Sequence, residues 1–344
     1  MRLRSIMLAI GSILFVSFQA AAQSCIIYTS FGAGALAPDP TFIPIVHAPT
    51  YPYISTVGTN PVLHATPVVG IDRTHQNAFS LDPTCPRYAA LAQLLTADGA
   101  IVQDFSTPFG SSGYSQALNG LNILVIADAT GISAAEASAI SAWVSAGHGL
   151  IIAGSIPSTL TTELMGVTWV DGDPEREFNS CTDAVSPYGP GWIKDNDVIT
   201  EGLKPSEEVF SVYEYTGPAI PPVTIAATSI LSLRAGARTN CFYNCGAYFD
   251  LGIPADGYSR GLAFQLGAGK VFASGDSRMF SAVLWAGYGI YIIPGVKTYQ
   301  QGMQVYPSNQ QFLLNIVHWI DGLLPDSDGD GYTDSRDQCS APLI

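Results

Sequence analysis

The chain has 344 residues, of which 47% are hydrophobic and only 12% charged, with 34 glycines, 23 prolines and a formal net charge of −14. Such a composition excludes an extended disordered chain, and the lack of any basic run excludes a nucleic-acid footprint. The length allows two domains, or one large domain with additions.

Residues 1–22 read as an export signal. Arg2 and Arg4 form its charged start, the run from Ile6 to Phe18 its apolar segment, and Ala20, Ala21 and Ala22 the small-residue cleavage site. The run is short for a bilayer span and no later run is long enough to be one. The expected product is therefore secreted or periplasmic, with no transmembrane segment after signal removal. All six cysteines (Cys25, Cys85, Cys181, Cys241, Cys245 and Cys339) follow the cleavage site. An even number in an oxidising compartment points to disulfides, with 15 possible full pairings. Cys241 and Cys245 form a C-x3-C, but no nearby His or Cys pair completes a metal set.

Residues 23–66 are rich in Pro, Gly, Tyr and Thr and read as an N-terminal extension, with one strand at Ile26–Thr29. His47 and His64 fall here and read as solvated or packed. From Pro67 the pattern becomes regular. A strand at Val68–Ile71 leads to a helix from about Pro86 to Asp98, whose stripe is Tyr88, Leu91, Ala92 and Leu95. A second strand is expected at Ala100–Phe105, then a Gly/Ser-rich loop and a short helix near Tyr114–Leu118. The third strand, Asn122–Ala127, is almost wholly apolar, as expected when both sheet faces are covered. Ser133-Ala-Ala-Glu136 is a capping box that opens a helix ending at Gly147, and a fourth strand, Leu150–Ala153, runs into Gly154 and Ser155. Strand and helix alternating with short connections mean a parallel sheet with right-handed crossovers.

Residues 171–222 show little periodicity and read as a long excursion, a lid or a flap. Strands are expected near Thr224–Ala227 and Ile230–Leu233, and a hairpin from Gly261–Leu266 and Lys270–Ser274 around Gly267-Ala268-Gly269. Residues 285–308 make a second loop. A helix from about Asn309 to Leu323, with Phe312, Leu313, Ile316, Val317 and Ile320 as its buried stripe, closes the domain at residues 67–324.

Parallel strands bring their C-terminal ends to one edge, where open α/β sheets hold ligands. The loops expected there carry Asp72, His75 and Asn77, then Asp128, Ser155, and Asp276 with Ser277. Ser155, His75 and an aspartate such as Asp276 could act as nucleophile, base and orienter in ester or amide hydrolysis, although Ser155 lacks a full G-x-S-x-G turn. Asp72, His75 and Asp276 could hold a metal, although no H-x-x-x-H or comparable spacing supports it. Alternatively Asp72, His75, Asn77, Asp128, Ser155 and Asp276 could hydrogen-bond a polyol such as a sugar. Each also has a plainer reading: Ser155 or Asp128 as a cap, Asp276 and Ser277 as the N-terminus of a helix near Met279, His75 as a loop tie and His318 as a core histidine.

Several stretches together resemble a largely uncharacterised family of bacterial proteins with a class I glutamine-amidotransferase-like fold. They are Asp72-Arg-Thr-His-Gln-Asn77, Leu124-Val-Ile-Ala-Asp-Ala129, Trp143-Val-Ser-Ala-Gly-His-Gly-Leu-Ile-Ile152, Val198-Ile-Thr-Glu-Gly-Leu203, Gly267-Ala-Gly-Lys-Val271, Gly275-Asp-Ser-Arg-Met-Phe-Ser281 and Asn309-Gln-Gln-Phe-Leu-Leu-Asn-Ile-Val-His-Trp319. The resemblance implies a flavodoxin-like, doubly wound α/β sheet over residues 67–324. Amidotransferases place a nucleophilic Cys on the turn that here reads Ala153-Gly154-Ser155-Ile156, so glutaminase chemistry is not expected. The resemblance extends to non-catalytic modules in gliding-motility proteins, which implies sugar binding as one use of the fold.

Residues 325–344 carry a different signal. Asp326, Asp328, Asp330, Asp334 and Asp337 fall at positions 1, 3, 5, 9 and 12 of a calcium loop, with Gly331 at position 6 and the Tyr332 carbonyl at position 7. With Cys339 following, the stretch resembles a thrombospondin type 3 repeat, and Ca2+ is the expected ion. The combined expectation is an exported calcium-binding protein whose α/β domain binds a small-molecule or glycan ligand. A secreted hydrolase and an extracellular interaction module are the alternatives.

Overall fold

The computed structural model describes residues 26–29, 32–45, 50, 64–106, 117–170, 186–188, 193–214, 217–233, 238–239, 243–244, 247–248, 253–287, 298–327 and 329–337. Residues 1–22, most of the short helix expected near Tyr114–Leu118, Asp328 and every cysteine but Cys85 lie outside them. Cys85 is disulfide-bonded.

The apolar runs assemble into a seven-stranded sheet. Its elements in chain order are β1 (Val68–Asp72), α1 (Ala89–Ala97), β2 (Ile101–Phe105), β3 (Ile123–Ala127), α2 (Ala134–Ser145), β4 (Gly149–Ala153), α3 (Ser158–Met165), α4 (Val198–Glu201), β5 (Ala227–Ser232), β6 (Ser259–Leu266), β7 (Gly269–Ser274) and α5 (Pro307–Ile320). The spatial order is β2-β1-β3-β4-β7-β6-β5. The first five are mutually parallel, while β6 runs antiparallel to both β7 and β5. The order β2-β1-β3-β4, extended by a further parallel strand, defines the flavodoxin-like, doubly wound class and puts its switch point between β1 and β3.

Why the strands read as continuous apolar runs is clear from the two cores. Successive side chains of a strand point to opposite faces. Ile123, Val125 and Ala127 of β3 and Ile151 of β4 pack with Leu91, Leu95, Phe312 and Ile316 of α1 and α5. Their neighbours Leu124, Ile126, Leu150 and Ile152 pack with Ile140, Val144 and Leu164 of α2 and α3. Both faces being covered, an alternating polar residue would have nowhere to go. Each fully buried Leu, Ile or Phe contributes about 1.5–3 kcal/mol. Phe272 of β7 meets the Phe312 ring edge-on, with centroids 5.7 Å apart.

Three expectations change. The two strands anticipated over 224–233 are one, Ala227–Ser232, because no turn divides them and the strand pairs along β6. The helix expected near Met279 is only a 3-10 turn, Arg278–Phe280. The backbone becomes extended at Ser281 and feeds the strand Ala282–Gly287. That strand pairs with Thr298–Gly302 and with Gly32–Pro38, which is itself paired with Ile26–Thr29, so the segments expected as loop and extension share a second, antiparallel sheet.

The described parts of the excursion are tied down rather than free as a flap: the strand Ser186–Tyr188 pairs with Val212–Glu214, and residues from 193 on pack against the domain. Asp197 caps α4, whose residues are all buried, and Asn315 of α5 donates to the Ile199 and Glu207 carbonyls. The strand Val212–Glu214 delivers Glu214 to Arg260 of β6, Oε2 to Nε 2.9 Å, with both side chains fully buried. Arg260 also donates to the carbonyls of Gly217 and Pro218, 2.5 and 3.1 Å away. One cation thus ties the excursion to the sheet.

Candidate functional site

The C-terminal ends of β1, β3, β4 and β7 share one edge, as their pairing requires, and the residues expected there fall into two linked groups. Asp72 ends β1 and is fully buried. Its Oδ1 accepts from the Thr74 amide and hydroxyl at 2.8 and 2.7 Å, and its Oδ2 lies 2.7 Å from His75 Nδ1. His75 Nε2 lies 3.3 Å from Glu136 Oε1. Glu136 is the third residue of α2, and its other oxygen accepts from the Ser133 amide at 2.8 Å, closing the capping box. The imidazole therefore bridges the β1 loop to the N-terminus of α2. Burial opposes its charge, but the two carboxylates outweigh burial and raise its pKa above the ordinary 6.5. Burial pushes the Glu136 carboxyl up, but its bonds to Ser133 and His75 prevail and lower it.

The second group centres on Asp128, just past β3, with φ +45°. Its Oδ1 accepts from the Ser155 backbone amide at 2.7 Å and its Oδ2 from the Ser277 hydroxyl at 2.5 Å. This needs Gly154 between β4 and Ser155. The glycine has φ +75°, and a Cβ there would sit 2.1 Å from Asp128 Oδ1. Burial raises the Asp128 carboxyl, partly offset by those two hydrogen bonds and by Arg278 and Arg87. Asp276 is buried and accepts from the Arg278 amide at 2.8 Å, so it shapes the 3-10 turn rather than a helix start. Tyr88 donates to the Ser277 carbonyl at 2.9 Å. The two groups are joined where the Ala78 amide donates to the Asp128 carbonyl.

The edge is thus assembled, but not as a hydrolytic triad. Both ring nitrogens of His75 are directed at carboxylates, and exposed Ser155 joins the edge through its amide rather than its hydroxyl. Asp72, His75 and Asp276 do not form a metal cluster. Among the described residues no three acidic, imidazole or thiol groups gather as a metal would need. Asn77 accepts from the His75 amide through Oδ1 at 3.2 Å, while its buried Nδ2 has no partner among the described residues. Sequence reading missed Glu136 as a neighbour of His75, since a capping box explains that glutamate fully. It also missed Arg87, a buried cation near Asp128, for want of any local signal. His318 is indeed a core histidine, its Nε2 2.7 Å from Asp98 Oδ2, while His64 Nδ1 lies 2.5 Å from Asp321.

The C-terminal loop lies elsewhere, against α4. Asp326 accepts from the Gly329 and Gly331 amides at 2.7 and 3.1 Å, and Asp330 from the Tyr332 amide at 2.9 Å. Gly331 has φ +95°, and a Cβ there would strike the Asn196 carbonyl at 1.9 Å. Both oxygens of Asp334 accept from Ser327. Arg336 anchors the loop to Glu201 at 3.0 Å and Glu208 at 3.5 Å.

The topology places the chain among flavodoxin-like α/β proteins. No protein-family model and no curated protein sequence matches it. Among solved structures it is similar to the mmIFT52 N-terminal domain, at 12% identity and TM-score 0.47, covering 74% of this chain and 96% of that one. It is also similar to a ThuA-like protein from Bacteroides uniformis, at 13% identity and TM-score 0.42, covering 81% and 98%. The cytoplasmic protein STM3548 from Salmonella typhimurium matches at 14% identity and TM-score 0.40, covering 74% and 98%. Scores this low add nothing to the strand order itself. Among the described residues no helix is long and apolar enough to cross a membrane.

Proposed function

We propose that this is an exported protein whose α/β domain binds a small polar ligand, a glycan by chemistry, at the C-terminal edge of β1 and β3 and does not hydrolyse it. The observation that carries this reading is Asn77. A buried amide donor without a partner costs about 1–3 kcal/mol, and it lies in the loop after β1, beside the switch point where this class of sheet holds ligands. That donor is closed to solvent in this structure, so a sugar hydroxyl would satisfy it only as the β1 loop opens, while the exposed Ser155 hydroxyl would supply a second contact. The carboxylates of Asp72 and Asp128 are committed to neighbouring amides, hydroxyls and an imidazole, so they hold the loops in shape. A glycan screen of the mature protein tests this. Asn77→Asp keeps the acceptor for the His75 amide and removes the donor, and it should weaken a bound glycan at least about tenfold. Unchanged affinity would move the site away from this edge.

The same reading assigns Ca2+ to the C-terminal loop. What supports it is the spacing of the five aspartates, with Asp326 oriented by the amides at loop positions 4 and 6 and Gly331 in the left-handed conformation. Asp326, Asp328, Asp330, the Tyr332 carbonyl and Asp337 would hold the ion. Asp334, engaged by Ser327, would act through water, as is frequent at position 9. Calorimetric titration with calcium should give a saturable heat that disappears in Asp328→Ala/Asp330→Ala. Identical traces for wild type and double variant would reject the assignment. Disulfides among the remaining cysteines and a thrombospondin type 3-like tail belong to the same proposal.

A further inference from the structure

A cleft of about 660 Å³ opens at the opposite, N-terminal edge of the parallel strands, walled in part by α4 and the C-terminal loop. Its lining includes Lys270 near the start of β7, Trp319 of α5, Phe264 and Gln265 of β6, Lys194, and Asp326 of the C-terminal loop. Lys270 is unusual among these groups. Its stem is drawn in beside the indole, with Nζ 5.1 Å from the Trp319 ring centroid, and Nζ donates to the Trp319 carbonyl at 2.7 Å. No carboxylate lies within ion-pair distance of it among the described residues. Asp321, the acid that acts on it electrostatically, is held by His64, while Lys194 on the cleft wall is paired with Asp197 at 3.2 Å.

We propose that Lys270 is a nucleophilic amine and that this cleft captures a small aldehyde or ketone as an imine. In its neutral form Nζ adds its lone pair to the carbonyl carbon, forming the C–N bond. The two amine protons then leave with the former carbonyl oxygen as water, and the C=N bond remains. Three features favour this step. The cleft admits a small molecule, the indole face shields the amine from bulk water, and the Trp319 carbonyl aligns Nζ through one N–H while leaving its lone pair available. Burial also lowers the Lys270 ammonium to about 8, with Asp321 opposing, so about a tenth of the amine is neutral at pH 7. A structural role as a cap for the end of α5 uses the same hydrogen bond but predicts no special reactivity.

Reductive trapping separates the two. The chain has four lysines, Lys194, Lys204, Lys270 and Lys297, so peptide mass mapping resolves each. The full mature protein is incubated with limiting glycolaldehyde and cyanoborohydride across pH 6.5–10. At pH 7.5 Lys270 should be labelled roughly tenfold faster than Lys204, because burial enlarges the neutral fraction of Lys270. Its rate should level off near pH 8. Lys270→Arg, which keeps a donor for Trp319, should lose this fast labelling and keep the wild-type melting temperature. Lys270 labelled no faster than Lys204, or at a rate that keeps climbing across the whole range, overturns the proposal.

Discussion

Glu214→Leu should destabilise the protein by about 3–5 kcal/mol, because it leaves the Arg260 guanidinium buried without its carboxylate. In a domain of this size that corresponds to a melting temperature lower by roughly 10 °C. Arg260 is fully buried, and the Gly217 and Pro218 carbonyls to which it also donates are neutral and cannot replace a charge. The double variant Glu214→Leu/Arg260→Met should recover most of the loss, since a buried pair replaced by apolar groups of similar volume is often neutral. Denaturant melts of the two single variants and the double variant measure the coupling. If the single variants cost no more than the double, the excursion is not held by this pair.

The second large effect is at His75. Removing it in His75→Ala leaves the buried Asp72 Oδ2 without the imidazole, at a cost of about 2–4 kcal/mol. The sign of the pH dependence follows from the raised pKa. A group whose folded-state pKa lies above its unfolded value stabilises the fold fully below the unfolded pKa, here near 6.5, and that contribution fades as pH rises through the folded-state value. Wild type should therefore lose stability from about pH 6.5 upward by a margin that His75→Gln does not show. NMR titration of the imidazole checks the direction independently. A His75 pKa below 6.5 would mean that the carboxylates of Asp72 and Glu136 do not prevail over burial.

The sheet was legible because its central parallel strands are apolar on both faces, so Val68–Ile71, Asn122–Ala127 and Leu150–Ala153 could be read from composition alone. The capping box at Ser133 and Glu136 marked the start of α2 to the residue. What sequence could not supply was pairing across long separations. Nothing local in Ala282–Gly287 announces that it will meet Gly32–Pro38, and nothing in Glu214 points to Arg260, 46 positions later. Asp72, His75, Asn77, Asp128, Ser155 and Asp276 could be placed at one edge, since topology alone carries the strand ends there. Their roles were not, because a carboxylate that shapes its own loop and one that meets a ligand look alike in sequence. Glu136 shows the difficulty from the other side: one oxygen completes the capping box, and the other faces His75.

The claim that this edge binds without hydrolysing is tested most directly by one paired measurement. Glycan binding and ester or amide turnover are measured on the same preparation of wild type and Ser155→Ala. Saturable binding with no turnover in either protein is the expected result, with Ser155→Ala weakening binding only severalfold. Turnover in wild type that Ser155→Ala abolishes would contradict it, and would mean that His75 leaves Glu136 to serve the Ser155 hydroxyl.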